Sequence, residues 1–385
     1  MKFQFNGQRL RQARIYRGLT KNEVAERLNC QRQTISAYES DPNANPSENT
    51  VRYMAEKLNF PVKFFYEETQ DIKIGSTYFR ALLTTSQKYR DEQKQKMEFL
   101  ADVYVFLQEY VDFPKLNIPN CIGKSPTEAA MFLRRQWNLE FMPIENIIAE
   151  VERNGILVTT FDTYTTDIDA FSTRLFVSQE PIYLIAYSKN KTSAARIHFD
   201  IAHELGHICL HDFDEKVESM DKEEFKEYEK EANDFASAFL LPEETFRRDA
   251  QEIPLKVLAY KQLKAKWKVS IQAMVRRAYT LGIVTMDEYQ AMIRTLQRRG
   301  LRKQEPLDDT LLTAEPCLLK TAVLMLLNEN VFTAKEFVDE LSYSYNLSLY
   351  PDEIEQMLNL PEGTLNQTEI ISFPELRLKK EEKNK

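Results

Sequence analysis

The chain has 385 residues, 43% of them apolar, which is long enough for two or three domains with cores and too apolar for wholesale disorder. Its formal net charge of −8 is unevenly spread: residues 1 to 66 carry eleven Lys or Arg against six Asp or Glu, so a basic head joins an acidic body. No apolar run reaches the length of a membrane span and MKFQFNGQRLRQ lacks the apolar core of a signal peptide, so a cytoplasmic protein with no membrane partner is expected.

The head, taken as 1–66, reads as four or five short helices. QRLRQARIYRG closes at Gly18. In LTKNEVAERLN, Thr20 and Glu23 have capping-box spacing, and Val24, Ala25 and Leu28 form an apolar stripe. Asn29 sits where a turn needs a residue tolerant of positive φ. QRQTISAYES follows, with Ile35 as its anchor and Arg32, Gln33 and Ser36 free to face outward. A fourth helix begins after Pro46-Ser47. Two short helices around a tight turn, in a basic domain, read as a helix-turn-helix whose second helix enters the major groove of double-stranded DNA. Arg suits guanine edges and Gln adenine edges, because each makes paired hydrogen bonds there. Lys21, at the start of the preceding helix, suits a phosphate.

RLRQARIYRGLT, EVAERL and RQTISAYES resemble the lambda-repressor type of helix-turn-helix, the XRE family, over about residues 7 to 66. The resemblance implies that Arg32 and Gln33 hold base-contacting positions, with Ala37 at another. It pairs Arg14 with Glu39 in a structural salt bridge. Asn29 replaces the usual turn glycine, and Gln31 replaces the usual small hydroxyl N-cap, which weakens that cap.

Residues 67–118 are taken as a helical linker or the start of the central domain. The stretch from Ser76 to Val111 reads as one long helix, with Leu100, Tyr104, Leu107 and Val111 on one stripe. A spacer, a homodimerisation helix and the first helix of the next domain are all compatible with it. SPTEAAMFLRRQW and PIENIIAEVERNG read as helices. ILVTTF, AFSTRLF and PIYLIAYS read as strands, and PIYLIAYS can offer an edge to an extended substrate. The four cysteines stand far apart with no CxxC pair, which suggests neither a zinc knuckle nor a disulfide framework.

All four histidines, His198, His203, His207 and His211, fall within fourteen residues, in AARIHFDIAHELGHICLH. His203 and His207 are four apart on a helix, so both imidazoles point one way, as a tetrahedral zinc site requires of two ligands. Glu204 is placed to take a proton from a metal-bound water. Gly206 lets another element approach closely. His211 lies one turn on and reads as a supporting or packing histidine, and His198 comes too early to complete the set. For a third ligand, Glu231 is preferred over Glu227 and Asp234, because it opens the apolar run EANDFASAFLLP and can be aimed by packing. The stretch from Asp212 to Glu231 carries ten acidic residues and four lysines, a candidate gate or a docking face for a basic domain.

RIHFDIAHELGHICLH, EANDFASAFLLP and WKVSIQAMVRRAYTLGIVT resemble the ImmA/IrrE family of zinc metallopeptidases over about residues 74 to 300. The resemblance implies that His203, His207 and Glu231 bind Zn2+ and that Glu204 is the general base. The expected fold is multidomain and mainly α: an all-α helix-turn-helix head, an α+β zincin-like metallopeptidase domain over 119–300, and a helical C-terminal region over 301–385 with a polar charged tail. VSIQAMVRRAYTLGIV reads as a helix capped by Ser270 and packed through Ala273, Met274 and Ala278. The resemblance also implies a protein substrate, a repressor above all. The expected function is a DNA-binding regulator with zinc-dependent endopeptidase activity. Two other readings stay open: a transcription factor whose metal domain is a non-catalytic sensor, and a toxin–antitoxin or phage-defence component.

Overall fold

The computed structural model describes residues 4–69, 73–79, 86–161, 169–177, 180–189, 193–212, 220–253 and 256–366. Four helices build the head: α1 (Gly7–Tyr16), α2 (Lys21–Arg27), α3 (Arg32–Ser40) and α4 (Glu48–Leu58). Local signals set each boundary. Gly18 closes α1 at φ 58°, and Asn29 takes φ 50° in the turn between α2 and α3. Thr20 and Glu23 form a full capping box on α2, whereas Gln31 makes no side-chain cap on α3. Leu10, Val24, Ile35, Met54, Phe64 and Phe65 fill the core of the head.

The long helix α5 (Gln87–Gln108) starts later than its periodicity suggests, because residues 73–79 form a strand, β1, instead. Residues 80–85 of the expected helix lie outside the described ones. α5 spends its apolar faces within the chain. Phe99 stacks on Tyr16 of the head at 5.1 Å, and Phe106 packs against Phe332, Phe337 and Tyr345. α6 (Pro126–Gln136) and α7 (Ile147–Arg153) then lead into β2 (Leu157–Phe161), β3 (Ala170–Val177) and β4 (Glu180–Ser188).

The mixed sheet has the order β1-β3-β4-β2, with β1 antiparallel to β3, β3 antiparallel to β4, and β2 parallel to β4. β4 is therefore interior. Its run from Ile182 to Tyr187, buried at every position but Tyr183, suits a strand paired on both sides. PIYLIAYS thus offers no free edge, contrary to the sequence reading. β4 feeds α8 (Ala194–Leu210), which packs on β3 and β4 and is buried almost all round. α9 (Lys222–Leu240) packs along α8, and α10 (Glu243–Gln251), α11 (Tyr260–Trp267), α12 (Ile271–Thr280) and α13 (Met286–Arg298) follow, with α12 packed on α11 and α13. Ser270 caps α12 as expected, and Met274 and Ala278 are fully buried.

α14 (Leu318–Asn328), α15 (Ala334–Ser344) and α16 (Pro351–Leu358) form the C-terminal region. It meets the head directly: Tyr16 Oη donates to Glu353 at 2.7 Å, Arg17 pairs with the same carboxylate at 2.7 Å, and Lys63 donates to Ser342 Oγ at 2.6 Å. The Arg9 guanidinium is buried and donates to the carbonyl of Asn346. No helix among the described residues is long and apolar enough to cross a membrane.

Candidate metal centre and nucleic-acid interface

His203 and His207 sit one turn apart on α8, and their Nε2 atoms face each other at 3.0 Å. Gly206 lets α9 come close: a Cβ there would lie 3.0 Å from Ala232 Cα. That contact aims the carboxylate of Glu229, whose oxygens lie 3.5 Å from His203 Nε2 and 3.3 Å from His207 Nε2. These three residues form one cluster whose donor atoms all lie within 4.8 Å of one another.

The carboxylate that converges is Glu229, where the sequence reading had preferred Glu231. Helix geometry gives the reason. At about 100° per residue, Glu229 stands roughly 60° from the Ala232 contact line, while Glu231 stands roughly 100° away on the other side. Glu231 Oε2 instead reaches His211 Nε2 at 3.0 Å. Glu227 and Asp234, also on α9, are not in the cluster.

His211 extends the arrangement. Its Nδ1 lies 2.9 Å from His207 Nδ1, and its ring stacks on Tyr228 at 4.1 Å. A carboxylate only accepts, so Glu231 assigns the proton of His211 to Nε2. His211 Nδ1 then accepts from His207 Nδ1–H, which leaves the His207 Nε2 lone pair facing the cluster. Burial, with the neighbouring His207, holds His211 down to about 4 despite its bond to Glu231, so it is neutral at pH 7. Burial opposes ionisation of Glu229, but the two imidazole rings beside it outweigh this and hold it well below the usual carboxylate range. Two imidazole Nε2 atoms and the Glu229 carboxylate thus converge on one point. That donor set fits a divalent cation such as zinc.

Glu204 is buried beside His203, and Ser172 Oγ of β3 donates to its Oε2 at 2.6 Å. Sequence reasoning missed Ser172, which only the sheet register brings to α8. His198 is fully buried, and neither ring nitrogen has a hydrogen-bond partner among the described residues. Burial and then Lys268 lower its pKa to about 4. The unfolded imidazole, near 6.5, binds its proton first as the pH falls, so stability should drop from about pH 6.5 down to about pH 4 by roughly 3 kcal/mol. Urea melts across that window should show the slope in wild type and its reduction in His198→Leu. An unchanged slope would refute the assignment.

Asp221 caps α9, and Glu224 completes its capping box. Neutralising them, as a test of the acidic docking face, would therefore also loosen the helix that carries Glu229. Residues 213–219 of that acidic stretch lie outside the described ones.

In the head, Ile35 is fully buried while Arg32, Gln33 and Ala37 are exposed on α3. Ser36 is half-buried and accepts from Lys21 Nζ at 3.1 Å. Lys21 also approaches Glu39 at 3.5 Å, so its ammonium spans the two helices. Arg14 grips Glu39 through two bonds of 2.5 and 3.1 Å, as the family resemblance implies.

Residues 7–66 match the family model of a helix-turn-helix domain, and residues 151–279 match a peptidase-family model described as the IrrE N-terminal-like domain. No curated protein matches the chain.

Proposed function

We propose, from an XRE-type helix-turn-helix domain fused to an IrrE-like peptidase domain, that the chain is a DNA-binding transcriptional regulator with zinc-dependent endopeptidase activity. Its proposed protein substrate is a repressor or another regulatory protein. The observation that carries this reading is the convergence of His203, His207 and Glu229 next to the buried Glu204. A zinc ion held there would supply Lewis acidity to a water and to a scissile carbonyl.

The chain's own residues account for the remaining steps. Glu231, through His211, orients His207. Ser172 Oγ donates to Glu204 Oε2 and positions the carboxylate, which would accept a proton from the attacking water and return it to the leaving amine. Metal analysis of protein purified without added metal tests the reading. One zinc per chain is expected, with occupancy falling sharply in His203→Ala and His207→Ala. Zinc-free protein that cannot be loaded would overturn it.

For the head, the exposure of Arg32, Gln33 and Ala37 beside the half-buried Ser36 supports base contact from α3, and Lys21 suits the phosphate backbone. Arg32→Ala and Gln33→Ala should each cost about 1–3 kcal/mol of discrimination at one base position, while Lys21→Ala should weaken all sites alike. Binding-site selection with the three variants decides this. An unchanged motif in Arg32→Ala and Gln33→Ala would refute the contacts.

A further inference from the structure

We infer that strand β1 of this chain is itself a substrate of the metal centre, and that hydrolysis within it cuts the covalent link between the helix-turn-helix head and the peptidase body. The inference rests on the proposed peptidase reading and names a first substrate for it.

An unpaired strand edge binds an extended peptide by main-chain hydrogen bonds, commonly in antiparallel register. The matched peptidase region, residues 151–279, supplies β2, β3 and β4. Within that region the sheet order leaves β3 as the edge on the side of the catalytic carboxylate, because Ser172 of β3 holds Glu204. β1 comes from outside the region and occupies this edge in antiparallel register.

The register is specific. Thr77 lies opposite Thr173, Tyr78 opposite Ser172 and Phe79 opposite Phe171. The peptide bonds flanking Tyr78 therefore run beside Ser172, a strand residue that holds Glu204. A bulge sets this alignment: Gly75 and Ser76 together oppose the single Arg174. Such an extra residue bends the strand and changes its alignment with what it passes.

Two further observations favour substrate over inert edge cover. His203, His207 and Glu204 are each only 1% exposed, so with the site closed no second peptide reaches it unless the chain gives way. Residues 73–79 also lie in the segment between the two matched domains, 7–66 and 151–279, where one cut has the largest consequence.

The reaction balances with water alone. The C–N bond beside Tyr78 breaks, hydroxide adds to the carbonyl carbon, and the head fragment ends in a carboxylate. The body fragment begins with an amine that takes the proton. The cut does not by itself release the head. Tyr16 and Arg17 still hold Glu353, Lys63 holds Ser342, and Lys88 of α5 holds Glu23 at 2.9 Å. Processing thus turns a tethered head into one held only by reversible contacts.

The test uses the full chain loaded with zinc and followed by intact mass spectrometry, with a randomised peptide mixture present as an independent substrate. A head fragment ending at Thr77 or Tyr78, with its complementary body fragment, is expected. Glu204→Gln should stay whole while binding zinc. Thr77→Pro, which disfavours strand pairing, should lose processing at unchanged zinc content. A zinc-loaded wild-type chain that cuts the peptide mixture but stays whole overturns this inference and leaves the peptidase reading standing. So does a cut confined to positions outside 73–79, or a Thr77→Pro chain processed as fast as wild type. A zinc-loaded chain that cuts neither overturns the peptidase reading itself.

Discussion

Replacing Glu229 by alanine should weaken zinc binding well beyond the effect of replacing Glu231, although the two residues are neighbours on one helix. Glu229 faces both imidazole nitrogens at 3.3 to 3.5 Å, so its loss removes a donor from the cluster. Glu231 acts at one remove, through His211 and His207 Nδ1. Losing such an outer partner costs about 10- to 100-fold in metal affinity, because the imidazole loses its orientation and preferred tautomer. Glu231→Ala and His211→Ala should both fall in that range, while Glu229→Ala should exceed it. Competition with a chromophoric chelator at pH 7.5 gives the three affinities. A tighter-binding Glu229→Ala than Glu231→Ala would reverse the assignment and restore Glu231 as the ligand.

The reason this assignment was hidden in the sequence lies in how each ligand is positioned. His203, Glu204 and His207 share one helix, so their geometry follows from spacing alone. The third carboxylate stands on a second helix, and its direction depends on how α9 is rotated against α8. The opening of an apolar run, which pointed to Glu231, says that a residue is near the core without saying which way it faces. A sharper clue was present. Gly206 on α8 and Ala232 on α9 are the small residues that permit the closest approach, and counting back from Ala232 puts Glu229 nearer the contact line.

The fold divides along the same line. Caps and positive-φ residues such as Thr20, Asn29, Ser47 and Ser270 mark helix ends locally, so the head and α12 were readable without knowledge of tertiary structure. β1 was not. Its residues Thr77, Tyr78 and Phe79 have β-forming character, but they run into a strong helical stretch, and what makes them a strand is the edge of β3, about a hundred positions away. PIYLIAYS carried its own warning, because a near-continuous apolar run suits a strand covered on both sides better than one with an open edge.

Glu204→Gln should retain zinc at the wild-type level and lose peptide hydrolysis by about 10²- to 10⁴-fold, the usual contribution of a positioned acid–base group. Glu204 is not among the three converging ligands, so the amide leaves the metal cluster intact. The amide also preserves the shape of the buried side chain, and its oxygen can still accept from Ser172 Oγ. What it cannot do is take a proton from water and return it to the leaving amine. Ser172→Ala separates positioning from chemistry. It leaves Glu204 able to ionise but removes the Ser172 bond of 2.6 Å that positions it, so kcat should fall by much less than in Glu204→Gln. Its pH profile should also shift, because the hydrogen bond that favours the ionised carboxylate is gone and the proton is held to higher pH. The acid limb of kcat/KM should therefore move upward in Ser172→Ala, while Glu204→Gln shows only a low residual rate without that limb. Equal rates in wild type and Glu204→Gln at equal zinc content would remove Glu204 from the chemistry. An unshifted acid limb in Ser172→Ala would reduce the Ser172 contact to packing.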